Sequence, residues 1–232
     1  MGYCIFLRKG ETHTTPSAGI LASDLAVGDI VKLTENGTPV EYIVVNQGIP
    51  TGGKSLYDSS CNGTWLLRKD CSLNMIWNKN TNALNYSTSN IYQWLNNSYI
   101  SSLGAIEQNS IKQVSIPCRN ISGTSQTIQH ISGKAFLLSS YEMGGNLGFE
   151  DGVRLSYFES GDETTALNKR IAKYNGEIVG WWTRTSFGTY TLVVNTDGTF
   201  IKIDLDINKY VRPALILPFT AKFDKDTKIL KG

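Results

Sequence analysis

Two pairs of neighbouring acids, Glu150-Asp151 and Asp162-Glu163, are of a type that suits chemistry, since paired carboxylates can divide general-acid and general-base roles. Both lie in Gly/Ser-rich surroundings, where adjacent acids are ordinarily solvated charges. A third acidic set, Asp204-Leu205-Asp206-Ile207-Asn208, places oxygen ligands at alternate positions, as the start of a calcium loop does. The pattern then fails, with Lys209 where the sixth position needs glycine and Leu215 where the twelfth needs glutamate. His13 and His130 are the two histidines, and Cys4, Cys61, Cys71 and Cys118 show neither CxxC nor metal-ligand spacing. Reduced thiols are expected, with Cys61–Cys71 the one pairing to test. The sequence has no GxSxG elbow, HExxH helix, GxxxxGK[ST] loop or GxGxxG fingerprint. The expectation is therefore no enzyme, no metal and no cofactor.

Alternation gives residues 200–208 a second reading. Ile201, Ile203, Leu205 and Ile207 fall on one face of a strand, and Phe200, Lys202, Asp204, Asp206 and Asn208 on the other. Tyr210 ends the outward row, and Trp181-Trp182, Arg184, Phe187 and Tyr190 precede it. Rigid rings among mixed polar groups are what a recognition surface uses. Of two adjacent tryptophans in a strand, one must point inward, so at most one can meet a ligand.

Several elements would position that row. Asp29–Leu33 and Val40–Val45 flank Glu35-Asn36-Gly37-Thr38, a hairpin signal because Asn-Gly tolerates positive φ. A Gly-rich loop (Gly48–Ser55) leads to a strand at Thr64–Arg68. Ser87-Thr88-Ser89 can cap a helix carrying Ile91, Trp94 and Leu95, and Ala105–Ile111 reads as another. A short strand is expected at Tyr3–Leu7 and others at Val114–Pro117 and Lys134–Ser139, with residues 119–132 polar and irregular between the last two. Thr164–Tyr174 reads as a helix with Leu167, Ile171 and Tyr174 on one stripe. Gly180–Thr185, Tyr190–Asn195, Phe200–Asn208 and Val211–Leu217 read as strands. Few helices among many hairpin-linked strands predict an α+β fold with a mainly antiparallel sheet and a few flanking helices. One domain is expected over 25–220, preceded by a lead-in segment (1–24) and followed by a polar tail (221–232).

Composition narrows the function. The chain has 232 residues, 41% of them hydrophobic and 18% charged, enough for a core and the reverse of a disordered composition. The longest apolar runs fall far short of the ~20 residues needed to cross a bilayer. A net charge of +2 is too small to imply a general nucleic-acid surface. Met1–Leu7 runs directly into Arg8-Lys9, which does not match a signal peptide. The polar content is carried by Asn, Ser, Thr, Gly and Tyr, the residue types of adaptable contact surfaces.

Six segments together carry a family resemblance: Leu25–Lys32, Ser59–Leu67, Ile111–Val114, Lys169–Ala172, Trp181–Thr185 and Val211–Leu215. Over most of residues 25–218 the chain resembles a domain of unknown function common in gut bacteria and their phages, whose members often end in "WWLRSP…GVRPAL". Its C-terminal pattern also resembles C-type-lectin-fold proteins, including the variable targets of diversity-generating retroelements. Where the family has Leu-Arg-Ser-Pro, this chain has Thr183-Arg184-Thr185-Ser186, with no proline to fix the next loop. The resemblance implies a C-type-lectin-like fold in which Trp181, Arg184 and Val211–Ala214 are scaffold. The segment between them would supply a ligand face of Thr183, Thr185, Phe187, Thr189, Tyr190, Thr191, Phe200, Lys202, Asp204, Asp206, Asn208 and Tyr210. It further implies a non-enzymatic receptor-binding protein on a phage tail tip or bacterial surface. The partner would be a surface glycan or protein, and avidity would come from repetition on a homo-oligomer. The rival implied role is a structural tail or baseplate component using the same surface for subunit contacts.

Overall fold

The computed structural model describes residues 19–80, 85–122, 125–146, 150–159, 161–187 and 189–232, Phe187 by its backbone alone. The expected strand at Tyr3–Leu7, with Cys4 and His13, lies outside them. The Asn36-Gly37 turn forms as its residue types require, with positive φ of 47° and 78°. After β1 (Ile20–Leu21), it joins β2 (Ile30–Glu35) to β3 (Thr38–Gln47), with Leu33 opposite Val40 and Val31 opposite Tyr42. Val31, Leu33 and Glu35 alternate inward from β2, as a strand with one buried face must.

Next come β4 (Thr64–Arg68) and β5 (Asn74–Ile76), then β6 (Val114–Ser122), β7 (Ser125–Gly133) and β8 (Ala135–Phe136). Of the 119–132 stretch, expected to be irregular, residues 119–122 and 125–132 belong instead to the paired β6 and β7, from Val114↔Gly133 to Ser122↔Ser125. Backbone pairing carries this ribbon where its polar side chains give no alternation to read. Asn175-Gly176 overrides the expected 164–174 helix. With φ of 51° and 89° it folds β9 (Ala172–Tyr174) onto β10 (Glu177–Val179), so the helix stops at Arg170.

The remaining strands are β11 (Trp181–Phe187), β12 (Tyr190–Val194), β13 (Phe200–Asp204), β14 (Asn208–Tyr210), β15 (Ala214–Leu217), β16 (Lys222–Phe223) and β17 (Leu230–Lys231). Two five-stranded sheets dominate, ordered β2-β3-β4-β15-β8 and β13-β12-β11-β14-β5. β15 is buried at every position between β4 and β8. β11, central in its sheet, is also covered on both faces, so Trp181 and Trp182 are both fully buried. Their indole N–H groups donate to the carbonyls of Arg170 and Met75. Neither ring of the pair therefore reaches a ligand.

The expected α+β, C-type-lectin-like class is corrected by this architecture. The described residues are 40% strand against 21% helix, arranged in five small antiparallel or mixed sheets, which makes them mostly β. The mixed sheet arises because β14 pairs parallel to β11, Trp181 opposite Tyr210, and antiparallel to β5. The 221–232 segment is not a polar tail. β16 and β17 pair with each other, β16 pairs with β1, and Ile229 bridges to Lys32. Phe223 is fully buried in this corner. Phe223→Ala should lower stability by ~3–5 kcal/mol, read as a drop in the urea midpoint. A loss below ~1 kcal/mol would show that these strands contribute little.

Candidate functional site

Ser89 starts a continuous helical run by accepting a hydrogen bond from Tyr92 N–H at 3.1 Å, the N-cap that Ser87-Thr88-Ser89 foretold. The run comprises an α-turn (Asn90–Trp94), a π-turn (Leu95–Tyr99) and a last α-turn (Ile100–Ser102). Ile91, Leu95 and Tyr99 turn into the core. The complementary stripe is Asn90, Gln93, Trp94, Asn97 and Ser98, at spacing i, i+3, i+4, i+7, i+8. Facing it are β5 and β14, in which Asn208 lies opposite Ile76 and Tyr210 opposite Asn74. Between helix and strands runs an open groove of about 590 Å³, lined by both sets together with Lys79.

The groove is rich in amides. Asn74, Gln93 and Asn208 are exposed and make no side-chain hydrogen bond among the described residues, so each offers a donor and an acceptor. Asn90 and Asn97 are half committed, through Lys79 N–H to Asn90 Oδ1 at 2.7 Å and Asn97 Nδ2 to the Gln93 carbonyl at 2.8 Å. Trp94 is half-buried and leans on Tyr99 with ring centroids 5.4 Å apart, which fixes one apolar wall. Such a surface can hydrogen-bond hydroxyls and amides and pack against an apolar ring face.

One expected ligand residue, Asn208, lies in this groove; the others are dispersed. Thr183, Thr185 and Thr191 are fully buried, their hydroxyls bonded to the Leu192 carbonyl, Asp151 and the Thr185 carbonyl. Phe200 is half-buried beneath the Arg170 guanidinium, 4.8 Å from its ring centroid, and Tyr210 stacks on Tyr174 at 4.8 Å. Thr189, Tyr190, Lys202 and Asp204 are exposed around the β12–β13 hairpin, where Tyr190 lies opposite Asp204. Asp206 is exposed in a turn, and the Phe187 side chain lies outside the described residues.

The single outward row over 200–210 is thus corrected. Leu205–Ile207 turns, with Ile207 N–H bonded to the Asp204 carbonyl, and ends the alternation. β13 is an edge strand, whereas β14 lies on the far side of β11, so the two halves of the row face different surroundings. The apolar stripe that identifies the helix in the sequence does not point to Gln93, Asn97 or Asn74. The amides at 90, 93 and 97 were the signal, since a solvated helix face ordinarily carries charge.

The acids and thiols singled out for chemistry have other duties. Asp162 caps the Glu163–Arg170 helix by accepting Thr165 N–H at 2.8 Å. Glu150 is exposed while Asp151 is fully buried, so that pair does not converge. His130 is exposed, its Nε2 2.8 Å from the Leu56 carbonyl. Cys61, Cys71 and Cys118 are free, buried thiols, so the Cys61–Cys71 pair is unbridged. Burial pushes the Cys61 thiol up to about 11 and the Cys71 thiol to about 12, which disfavours the nucleophilic thiolate.

Glu142 is the best-connected acid. It accepts from Arg184 Nη1 at 2.5 Å, Arg184 Nη2 at 2.7 Å, Tyr57 Oη at 2.8 Å and Ser139 N–H at 2.9 Å. Four donors fill the acceptor sites of a carboxylate. Asp151, beside it, accepts 3.1 Å bonds from the Thr185 hydroxyl. Burial pushes its carboxyl up to about 6; Arg184 opposes this rise, and the Glu142 charge adds to it.

Residues 62–219 match the model of a family described as a domain of unknown function, DUF6273, and the chain belongs to it. No curated protein and no solved structure matches the chain. The sequence resemblance to a domain of unknown function is therefore shown, and the lectin fold is not.

The Asp151 environment sets a pH dependence. Its folded-state value lies above the ordinary ~3.9 of an aspartate, so between those pH values the folded protein holds a proton that the unfolded chain has released. Stability from this group is fully present below the unfolded value and is lost as pH rises through about 6. Melting curves should show Tm rising as pH falls from 7 to 5, and Asp151→Asn should flatten that slope. Identical slopes in both proteins would contradict this assignment.

Proposed function

We propose that this DUF6273 member is a non-enzymatic ligand-binding module whose contact surface is the groove between the Asn90–Ser102 helical run and β5–β14. One observation carries the reading: five side-chain amides, a lysine, a serine and an indole converge on a single open groove. A sugar has hydroxyls that both give and accept hydrogen bonds and an apolar ring face, so a bacterial surface glycan is the ligand class that best matches these groups. The π-turn supports the reading, since such turns are frequent at functional sites and here carry Asn97 and Ser98. Consumption of Glu142, Asp162 and the buried thiols by the scaffold supports binding over catalysis. The setting proposed is a phage tail tip or a bacterial surface, with weak single sites repeated for avidity.

A second reading, subunit contact within a tail or baseplate, is favoured by Ile207, which is 46% exposed immediately before Asn208 in the groove. An exposed apolar side chain adjoining a groove residue in sequence suits a protein partner better than a glycan.

The combined substitution Asn74→Ala, Gln93→Ala and Asn208→Ala separates binding from folding. Each lost hydrogen bond is worth ~1 kcal/mol net, so glycan-array affinity should fall roughly 100-fold in the triple variant. Exposed substitutions of this kind cost little, so Tm should stay within ~2 °C. Unchanged glycan binding would overturn the reading. Binding to purified tail proteins instead, lost on Ile207→Asp, would establish the subunit-contact reading.

A further inference from the structure

A second cleft, of about 500 Å³, lies between the end of β4, the C-terminal end of the Glu163–Arg170 helix and β9. Its lining includes Lys69, Lys169, Lys173 and Arg212, with Asp70 as the acid among them. We infer that this cleft is an anion site, taking the phosphate or carboxylate group of an acidic ligand.

Arg212, on the floor of the cleft, is 1% exposed. A guanidinium withdrawn from water this far needs compensation, ordinarily from a carboxylate. Buried Arg184 has Glu142, and Arg68 has Glu35 at 2.9 Å. Arg212 has no carboxylate within ion-pair distance among the described residues. Its Nε donates to the Arg68 carbonyl at 2.8 Å, its Nη2 to the Lys69 carbonyl at 2.9 Å and its Nη1 to the Arg170 carbonyl at 3.4 Å. The Trp181 ring covers it at 5.0 Å. Each guanidinium nitrogen thus has a carbonyl partner, but no carboxylate pairs with it directly, and Asp70, in the same lining, acts on it only through space.

Three ammonium groups surround that floor. Lys173 projects to solvent from β9, between buried Ala172 and half-buried Tyr174, and makes no side-chain hydrogen bond or ion pair among the described residues. The β9 backbone is pinned to the cleft, because Cys71 N–H donates to the Lys173 carbonyl at 2.8 Å. Lys169 lies over the Tyr157 ring, 5.1 Å from its centroid. Lys69 pairs with Glu41 at 2.7 Å, but both side chains are nearly half exposed. A pair that exposed is weak, and an incoming anion can compete for the ammonium.

Counting Glu41 and Asp70 against the three lysines and Arg212 leaves the cleft at +2, equal to the formal charge of the whole chain. Low-dielectric walls strengthen such a field, and ammonium groups act on phosphate as point charges. Arg212 supplies a fixed field from below, and the lysines supply contact. The Asn168 amide and Tyr157 hydroxyl, also in the lining, can orient the rest of a ligand. The site is independent of the amide groove and stands whether or not that groove binds a glycan.

Titration of the full chain with inorganic phosphate, glucuronate and, as the neutral control, glucose tests the inference, followed by calorimetry or lysine side-chain NMR at low and high salt. Phosphate or glucuronate should bind where glucose does not, more weakly at high salt. Phosphate alone would mark a phosphate-bearing ligand, and glucuronate alone a carboxylate-bearing one. Lys173→Glu should weaken binding roughly tenfold or more with unchanged Tm, while Lys222→Glu, exposed on β16, should not. The Asn74, Gln93 and Asn208 triple variant should keep its anion affinity. The inference falls if neither anion binds, if Lys173→Glu and Lys222→Glu behave alike, or if the triple variant loses anion binding.

Discussion

The fold is organised around one buried ion pair. The Arg184 guanidinium and Glu142 carboxylate are fully withdrawn from water and meet in a bidentate contact. Withdrawing two charges is costly, and attraction offsets the cost only where geometry is good and the remaining donors and acceptors are filled. They are filled here. Arg184 also donates to the carbonyls of Pro117, Leu137 and Asp151, and Glu142 also accepts from Tyr57 and Ser139. Segments separated by up to 127 positions are thereby tied to one point. The register shift between Trp182 and Ser186 frees Arg184 from its strand partner, so its backbone N–H bonds to the Leu138 carbonyl.

The same solution recurs at the other large sheet. Glu35, on β2, accepts from Tyr42 and from Arg68 Nε, while Tyr42 and Tyr99 share a hydrogen bond. This cluster joins β2, β3, β4 and the helical run whose other face lines the amide groove. Burial, with the neighbouring Tyr99 and Glu35, raises the Tyr42 hydroxyl well above its ordinary value, so it acts as a hydrogen-bond donor and not as an acid. Titratable groups in the interior are thus spent on joining segments. The groove is left with amides, whose hydrogen bonding does not depend on pH.

Local signals in the sequence were legible where a few residues decide the outcome. Asn36-Gly37 announced its hairpin, and Ser89 its helix. Asn175-Gly176 carried the same signal directly after an apparent helical stripe ending at Tyr174, and the turn prevailed over the stripe's last residues. The expected alternation appears in β13 for Ile201 and Ile203 against Lys202 and Asp204, but it could not show that Phe200 is half-buried or that the chain turns at Leu205 and crosses to the opposite side of β11. Strand order is a long-range property, set by partners such as Met75 opposite Lys209 and Val193 opposite Ile201. The β6–β7 ribbon stayed hidden because its backbone does the pairing and its side chains are mostly polar. Burial of Thr183, Thr185 and Thr191 was hidden for a related reason: hydroxyls read as surface groups unless their buried acceptors are known.

The two surface sites draw on the same pair of segments, residues 69–76 and 208–212. Lys69 and Asp70 line the cleft, and Asn74, Met75 and Ile76 line the groove. On the second segment, Asn208 faces the groove and Arg212 the cleft, with Tyr210 packed on Tyr174 between them. Backbone bonds hold the two segments together: Ser72 N–H donates to the Val211 carbonyl, Val211 N–H to the Leu73 carbonyl, and Arg212 closes on the carbonyls of Arg68 and Lys69. Arg212 therefore has two effects that cannot be separated by distance. Its donors tie residues 68 and 69 to the end of the second segment, where β5–β14 pairing has already set Asn74 and Asn208, and its charge contributes to the field of the adjoining cleft. A buried cation that satisfies backbone carbonyls but no carboxylate can hold a scaffold together while leaving its electrostatic demand to be met from outside.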